Sequence, residues 1–252
     1  MVIRRFPAGF LIGALLSLPI LTCAEAQDLQ KVRLLEPNKT RGLPLMQALS
    51  VRASARDWSD KDLSLQDLSD MLWAANGINR PDGKKTAPSA MNAQDVDIYV
   101  FTKAGAYLYD AAAHALVPVL AGDHRSELMM VRPGGPGGPG AKPGEKPEGT
   151  PPPMRQGPPP GSKPPGGPPS PAPVELILVS DISRFRAGTP ELKLEWAAID
   201  TGIVSQNISL FCAATGLGTR PRASMSKEKV KELLKLSESQ YPLLNHPVGY
   251  PK

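Results

Sequence analysis

Cysteine is almost absent from this 252-residue chain, which holds only Cys23 and Cys212. Cys23 falls in an N-terminal segment with the layout of a cleaved leader, so the mature chain has one thiol and no intramolecular disulfide, whatever its redox compartment. Histidine is equally sparse: His114, His124 and His246 are scattered without metal-ligand spacing. Aromatic residues make up 5% of the chain, and no dense Lys/Arg stripe interleaves with them. The formal charge of +5 is therefore a modest excess rather than a nucleic-acid footprint. Long apolar runs are also missing. The longest, residues 10–21, contains Gly13, Ser17 and Pro19 and falls short of the ~20 residues a transmembrane helix needs.

That run follows Arg4 and Arg5 and precedes Ala24-Glu25-Ala26, the order of a secretory signal peptide over residues 1–26, with Gln27 as the mature start. Paired arginines also occur in twin-arginine signals, but Phe6-Pro7-Ala8 fits that signal poorly, which leaves general secretion as the expected route. Thr22 before Cys23 is larger than the usual residue before a lipidated cysteine. The expected location is periplasmic or secreted.

Proline and glycine are abundant but unevenly placed. Residues 131–173 hold 17 of the 29 prolines and 11 of the 23 glycines. Such a stretch lacks the apolar groups that would offset chain ordering, so it reads as a disordered or polyproline-like insertion. The flanking parts, 27–130 and 174–252, read as two pieces of one domain. A polyproline segment is a preformed ligand for aromatic grooves, so the insertion is either a partner-binding segment or a passive loop.

The first part predicts a short helix near 44–51 and a clearer one over 63–75. In the latter, Ser64 with Asp67 makes a capping-box-like start, and Leu65, Leu68, Met71, Leu72 and Ala75 share a face. Strands are expected at 96–101, 106–109 and 116–120, with Lys103-Ala104-Gly105 as a hairpin turn. The second part predicts a strand at 174–180, continuously apolar apart from Glu175, and a long helix over 191–215. Apolar residues nearly surround that helix, so it should be deeply buried, with Gly216 ending it. Cys212 reads as a small buried hydrophobe within it. A final helix over 227–236 capped by Ser226 and an extended tail complete an α+β chain.

Three polar motifs stand out. Arg52-Ala53-Ser54-Ala55-Arg56-Asp57-Trp58 sets two guanidinium groups around a hydroxyl, a pattern that suits a phosphate or a solvated helix end. Pro88-Ser89-Ala90-Met91-Asn92-Ala93-Gln94 precedes a strand and offers amide donors and acceptors together, as a heterocycle edge or a plain polar turn would use. Asp200-Thr201-Gly202 and Gln206-Asn207 lie within the long helix, which ends in Gly216-Leu217-Gly218-Thr219-Arg220. Gly202 lowers helix propensity by ~1 kcal/mol against alanine, a sign of close approach by another backbone. The Gly-Leu-Gly turn can bring backbone N–H groups to a ligand, but its spacing is not that of a dinucleotide fingerprint.

Taken in this order, the motifs resemble the nitroreductase family, and most closely its SagB-type dehydrogenase branch. Arg52-x-Ser54-x-Arg56-x-Trp58 is similar to the family's N-terminal phosphate motif, and residues 88–94 match its P-S-x-x-N-x-Q loop at every fixed position. Leu72-Trp73-Ala74-Ala75-Asn76-Gly77 resembles the helix end that follows, residues 200–218 the core helix, and Val248-Gly249-Tyr250-Pro251 the typical ending. The resemblance implies a mostly antiparallel central sheet flanked by helices. It also implies a homodimer with a flavin mononucleotide (FMN) at each interface and two-electron transfer from a reduced nicotinamide or other donor to a small acceptor such as a nitroaromatic or quinone. By carry-over, Arg52 and Arg56 hold the phosphate and Ser54 lies near it. Ser89, Asn92 and Gln94 contact the ring or ribityl chain, Gly216, Leu217 and Gly218 lie by the ring edge, and Arg222 is a further phosphate ligand. Side-chain acids or bases are not required, because the flavin carries the chemistry.

The chain departs from the family where the proline-rich insertion replaces a helix, and at Pro221-Arg222-Ala223. Two other readings follow. A SagB-like azoline oxidase acting on peptides is expected to use a Lys-Tyr dipeptide, which is absent. The alternative is a redox-inactive binding protein that keeps the fold and uses the proline-rich segment for a partner.

Overall fold

A computed structural model describes residues 29–129 and 171–252. The expected signal peptide and nearly all of the proline-rich insertion lie outside the described residues.

Among the described residues, seven strands form one antiparallel sheet in the order β1-β4-β3-β2-β5-β7-β6. They are β1 (Val32–Arg33), β2 (Val96–Phe101), β3 (Gly105–Asp110), β4 (Ala115–Ala121), β5 (Val174–Asp181), β6 (Gly218–Thr219) and β7 (Gln240–Gly249). The β2-β3-β4 run is a meander, and β2 pairs along its whole length with β5, from Val96 opposite Ser180 to Phe101 opposite Glu175. β2, from the part ahead of the insertion, and β5, from the part after it, are thus direct neighbours in the sheet.

Both faces of the central strands are buried, so their alternation is apolar with apolar. Ile98, Val100, Leu176 and Leu178 face one core with Met71, Leu72, Ala75, Val204, Ile208 and Cys212 from the helices. Tyr99, Phe101, Ile177 and Val179 face a second core with Leu128, Met225, Val230 and Leu234.

The described residues also form four α-helices that cover the sheet: α1 (Leu45–Val51), α2 (Leu65–Asn76), α3 (Pro190–Thr215) and α4 (Lys227–Leu234). The predicted cap of α2 is present. Ser64 Oγ accepts from Asp67 N at 3.0 Å and donates to Asp67 Oδ2 at 2.6 Å, and Arg41 bridges Asp67 and Asp70. Tyr250 donates to Asp67 at 2.5 Å, which ties the chain's end to the start of α2.

Two sequence expectations change. The α3 helix is buried along one stripe only: Ala197, Asp200, Thr201, Val204, Ser205, Ile208, Ser209 and Cys212. Ile199 is 53% exposed, Leu192 and Leu194 are exposed too, and a Cβ at Gly202 would meet nothing within 4 Å. The apolar surround of α3 therefore faces outward in a single protomer. The extended tail expected at 248–252 begins as the last two residues of the ten-residue β7, whose earlier part was not expected. Pro242 sits at the bulge between Leu178 and Val179 of β5, and Pro247 lies just past the last pair with β6, the places where a strand tolerates a missing N–H.

Candidate functional site

The arginine motif follows directly on α1. Arg52 is the C-cap residue, its N–H bonded to Ala48 O at 3.0 Å. The chain then runs beside the turn after α3. Ser54 bridges Thr219 in parallel, Ala55 N donates to Thr219 O at 3.0 Å, and Trp58 Nε1 donates to Gly218 O at 3.3 Å. The close approach explains Gly218, where a Cβ would fall 2.7 Å from Ala55 Cβ. Gly216 takes φ +77°, the left-handed C-cap expected of it. A cavity of about 350 Å³ lies at this junction, lined by residues including Ser54, Ala55, Gly216, Leu217 and Gly218.

Arginines collect beside it. Arg52 and Arg56 are exposed, and neither has an ion-pair partner among the described residues. Arg220 is half-buried, and its Nε is buried without a hydrogen-bond partner among the described residues. Desolvation, and then the like charges of Arg222 and Arg56, hold the Arg220 guanidinium below its ordinary pKa. Unpaired positive charge held together with an orphaned donor is a place where an anion gains and the bare protein does not. Arg222 is spent inside the protein: its Nη2 lies 3.1 Å from Glu175 Oε2, and its Nε donates to Asn245 Oδ1 at 3.0 Å. Sequence reasoning assigned the phosphate role to Arg222 and passed over Arg220. The signal for Arg220 was its place directly after the Gly-x-Gly-Thr turn.

The 88–94 loop lies elsewhere. Its backbone is unusual: Met91, Asn92 and Gln94 all have positive φ (52°, 53° and 49°), a region that non-glycine residues seldom adopt. Local bonds hold it there. Ser89 Oγ accepts from Gln94 N at 2.8 Å, Gln94 Nε2 donates to Gly83 O at 3.2 Å, and Arg184 Nη1 donates to Gln94 O at 2.9 Å. Asp200 Oδ2 on α3 accepts from Ala90 N at 2.9 Å. Asn92 is exposed.

The loop thus docks at Asp200, whereas the arginine cluster sits at Gly216, and a helix rises ~1.5 Å per residue, about 24 Å over that interval. One protomer gathers Arg52, Ser54, Arg56 and the Gly216, Leu217, Gly218 turn. It does not bring Ser89, Asn92 or Gln94 to them.

A family profile described as the nitroreductase family matches residues 49–250, nearly all of the described fold. The chain belongs to the nitroreductase family. A Methanocaldococcus jannaschii protein that bears the nitroreductase name is 26% identical over 213 residues, covering 82% of this chain and 91% of its own length. A Ralstonia eutropha crystal structure of the same designation superposes with a TM-score of 0.69 at 29% identity, over 96% of this chain and 97% of that one. A chain of the E. coli microcin synthetase complex, with a truncated pro-microcin bound, has a TM-score of 0.57 at 16% identity over 96% of this chain and 84% of that one, a likeness of fold alone. Family membership makes this nitroreductase-fold chain an oxidoreductase of a flavin-using class. It does not distinguish the SagB-type branch.

Proposed function

We propose that this protein is an FMN-dependent oxidoreductase whose flavin site is built by two copies of the chain. The observation that carries the reading is the Arg220 Nε, buried without a partner beside Arg56 and Arg222 at the lip of a glycine-lined cavity. Arg52, Arg56 and Arg220 would hold the phosphate, with Ser54 beside it and Arg222 fixed behind by Glu175. At the Gly216-Leu217-Gly218 turn, Gly216 leaves room for the ring system, since a Cβ there would meet nothing within 4 Å.

The second copy follows from distance. About 24 Å along α3 is more than one FMN spans, so Ser89, Asn92 and Gln94 reach the flavin only from a partner whose α3 runs antiparallel. The exposed apolar face supports this arrangement: Leu45, Met46 and Val51 on α1 are 61%, 75% and 55% exposed, and Ile199 on α3 is 53% exposed. α1 packs on α3, and exposed apolar residues on both helices mark an association surface rather than scattered surface hydrophobes.

Bound flavin supplies two-electron exchange at N5, from a reduced nicotinamide or another donor to a small acceptor such as a nitroaromatic or quinone. The protein's residues bind and orient it, and the apolar interface excludes water. Residues 1–26 direct export in this reading, which places the activity outside the cytoplasm. The deciding experiment is spectroscopic: the purified mature protein is yellow and releases FMN on denaturation. A colourless protein that fails to take up added FMN overturns the proposal.

A further inference from the structure

The 88–94 loop is held at its two ends by a pair of buried carboxyl groups. Asp95, the residue after Gln94, is fully buried, and Asp200 on α3 is 3% exposed. Ser180 on β5 donates its hydroxyl proton to Asp95 Oδ2. Asp95 Oδ1 is buried with no donor to accept from among the described residues, and the Asp95 carboxyl meets that of Asp200 at a small cavity that both residues line. Asp200 in turn accepts from Ala90 N, at the loop's other end, and Asp95 O accepts from Asp181 N at 2.9 Å. Two carboxyl groups in contact and out of water cannot both be ionised without strong repulsion, and a proton between them turns that repulsion into a hydrogen bond.

We infer that Asp95 and Asp200 are positioning residues: one shared proton joins them into a clasp that holds the strained 88–94 loop on α3 in the shape that meets the flavin. The link to FMN rests on the function proposed above; the clasp itself does not. Burial and then the facing Asp200 push the Asp95 carboxyl up to about 7, against the hydrogen bond from Ser180. Lys85 from the turn after α2 and Arg184 after β5 also face it, and their positive charge works in the opposite direction. The proton is therefore held in mildly acidic solution and lost as pH rises through neutrality. Three positive-φ residues give the freed loop other conformations to relax into.

The test compares the wild type with Asp95→Asn, which donates one hydrogen bond to Asp200 at every pH. FMN affinity is measured by quenching of flavin fluorescence from pH 6 to pH 8.5. The ionisation of the phosphate acts on both proteins alike, so the readout is the ratio of wild-type to variant Kd. That ratio is expected to rise roughly tenfold or more across the range. Asp200→Asn, which keeps an acceptor for Ala90 N and donates to Asp95, should give the same flat profile and serves if Asp95→Asn does not fold. A ratio that stays constant with pH for both variants overturns the clasp. If no protein binds FMN, amide exchange in the flavin-free protein decides separately. Protection at Ala90 and Gln94, corrected for intrinsic rates, should fall from pH 6 to 8.5 in the wild type and hold in Asp95→Asn. Equal pH dependence in both proteins overturns the inference whatever the fate of the flavin reading.

Discussion

Glu175 and Arg222 form an ion pair at 3.1 Å with side chains only 2% and 14% exposed, one on β5 and the other on the strand-like segment after β6. Asn245 Nδ2 also donates to Glu175, at 3.3 Å. Burial outweighs the attraction of Arg222 and pushes the Glu175 carboxyl up to about 7. Arg222→Ala strips a buried carboxylate of its charge partner, a loss of about 3–5 kcal/mol when the carboxylate stays ionised. The sign with pH follows from linkage. The folded state binds this proton more tightly than the unfolded state, so the contribution is favourable in acid and lost as pH rises through the folded pKa. Without Arg222 that pKa rises further. Urea unfolding at pH 6 and pH 8 should show a larger deficit in the variant at pH 8; equal deficits would mean that the pair is not what holds this part of the sheet.

His246 works in the opposite direction. It is fully buried on β7 between Thr219 Oγ1, 3.2 Å from Nδ1, and Ser205 Oγ, 2.9 Å from Nε2. Burial, then the nearby Arg222, push its pKa down to about 3, so the folded protein keeps it neutral. Below about pH 6.5 the unfolded chain gains a proton that the folded chain refuses, and stability falls by up to about 1.4 kcal/mol per pH unit. Asp95 and Glu175 favour the folded state over part of the same range, so the wild-type profile alone is a composite. His246→Gln removes one term only, and it should lose less stability than the wild type between pH 6.5 and 4.5. Parallel profiles would exclude His246 as an acid trigger.

Most of the fold was legible because local and long-range signals agreed. The Ser64–Asp67 cap, the β2–β3 hairpin and the run of β5, apolar from Leu176 to Val179, each specify one structure. β7 was not legible beyond its tail, because Pro242 and Pro247 argue against a strand until the bulge and the end of β6 are known. In α3 the apolar pattern was read correctly, but pattern cannot say whether a neighbour lies in the same chain or in another copy. The site divided in the same way. The arginine motif and the 88–94 loop are visible as strings of residues, whereas their separation along α3 is a property of the packed structure. So are the orphaned Arg220 Nε and the meeting of Asp95 with Asp200, since neither depends on local spacing.

Arg220 gives a direct test of the proposed phosphate site. In the flavin-free protein its guanidinium is desolvated, unpartnered at Nε and repelled by Arg222 and Arg56. Arg220→Ala should therefore leave thermal stability unchanged or slightly raised. FMN affinity should fall about 10- to 100-fold, the loss expected for one hydrogen bond to a charged group of about 1.5–3 kcal/mol. Calorimetric titration and a thermal melt read the two quantities separately. A variant that melts early but binds FMN normally would show Arg220 to be a structural residue.

The proposed two-copy site makes a stronger demand, because it would couple assembly to cofactor binding. Met46 is 75% exposed on α1 and belongs to the apolar face proposed as the interface. A glutamate there adds charge that would be desolvated in the dimer but remains in water in the monomer, so Met46→Glu should shift the protein to monomer at micromolar concentration while leaving the fold intact. Because Ser89, Asn92 and Gln94 would come from the partner, the monomer should lose FMN as well, although no residue of the arginine cluster has changed. Val119→Glu is the control: Val119 is 40% exposed on β4, away from α1 and α3, and should alter neither property. Light scattering with simultaneous flavin absorbance reads both at once. A Met46→Glu monomer that retains its yellow colour would place the whole flavin site within one chain, and the distance along α3 would then have to be closed by movement of the loop rather than by a partner.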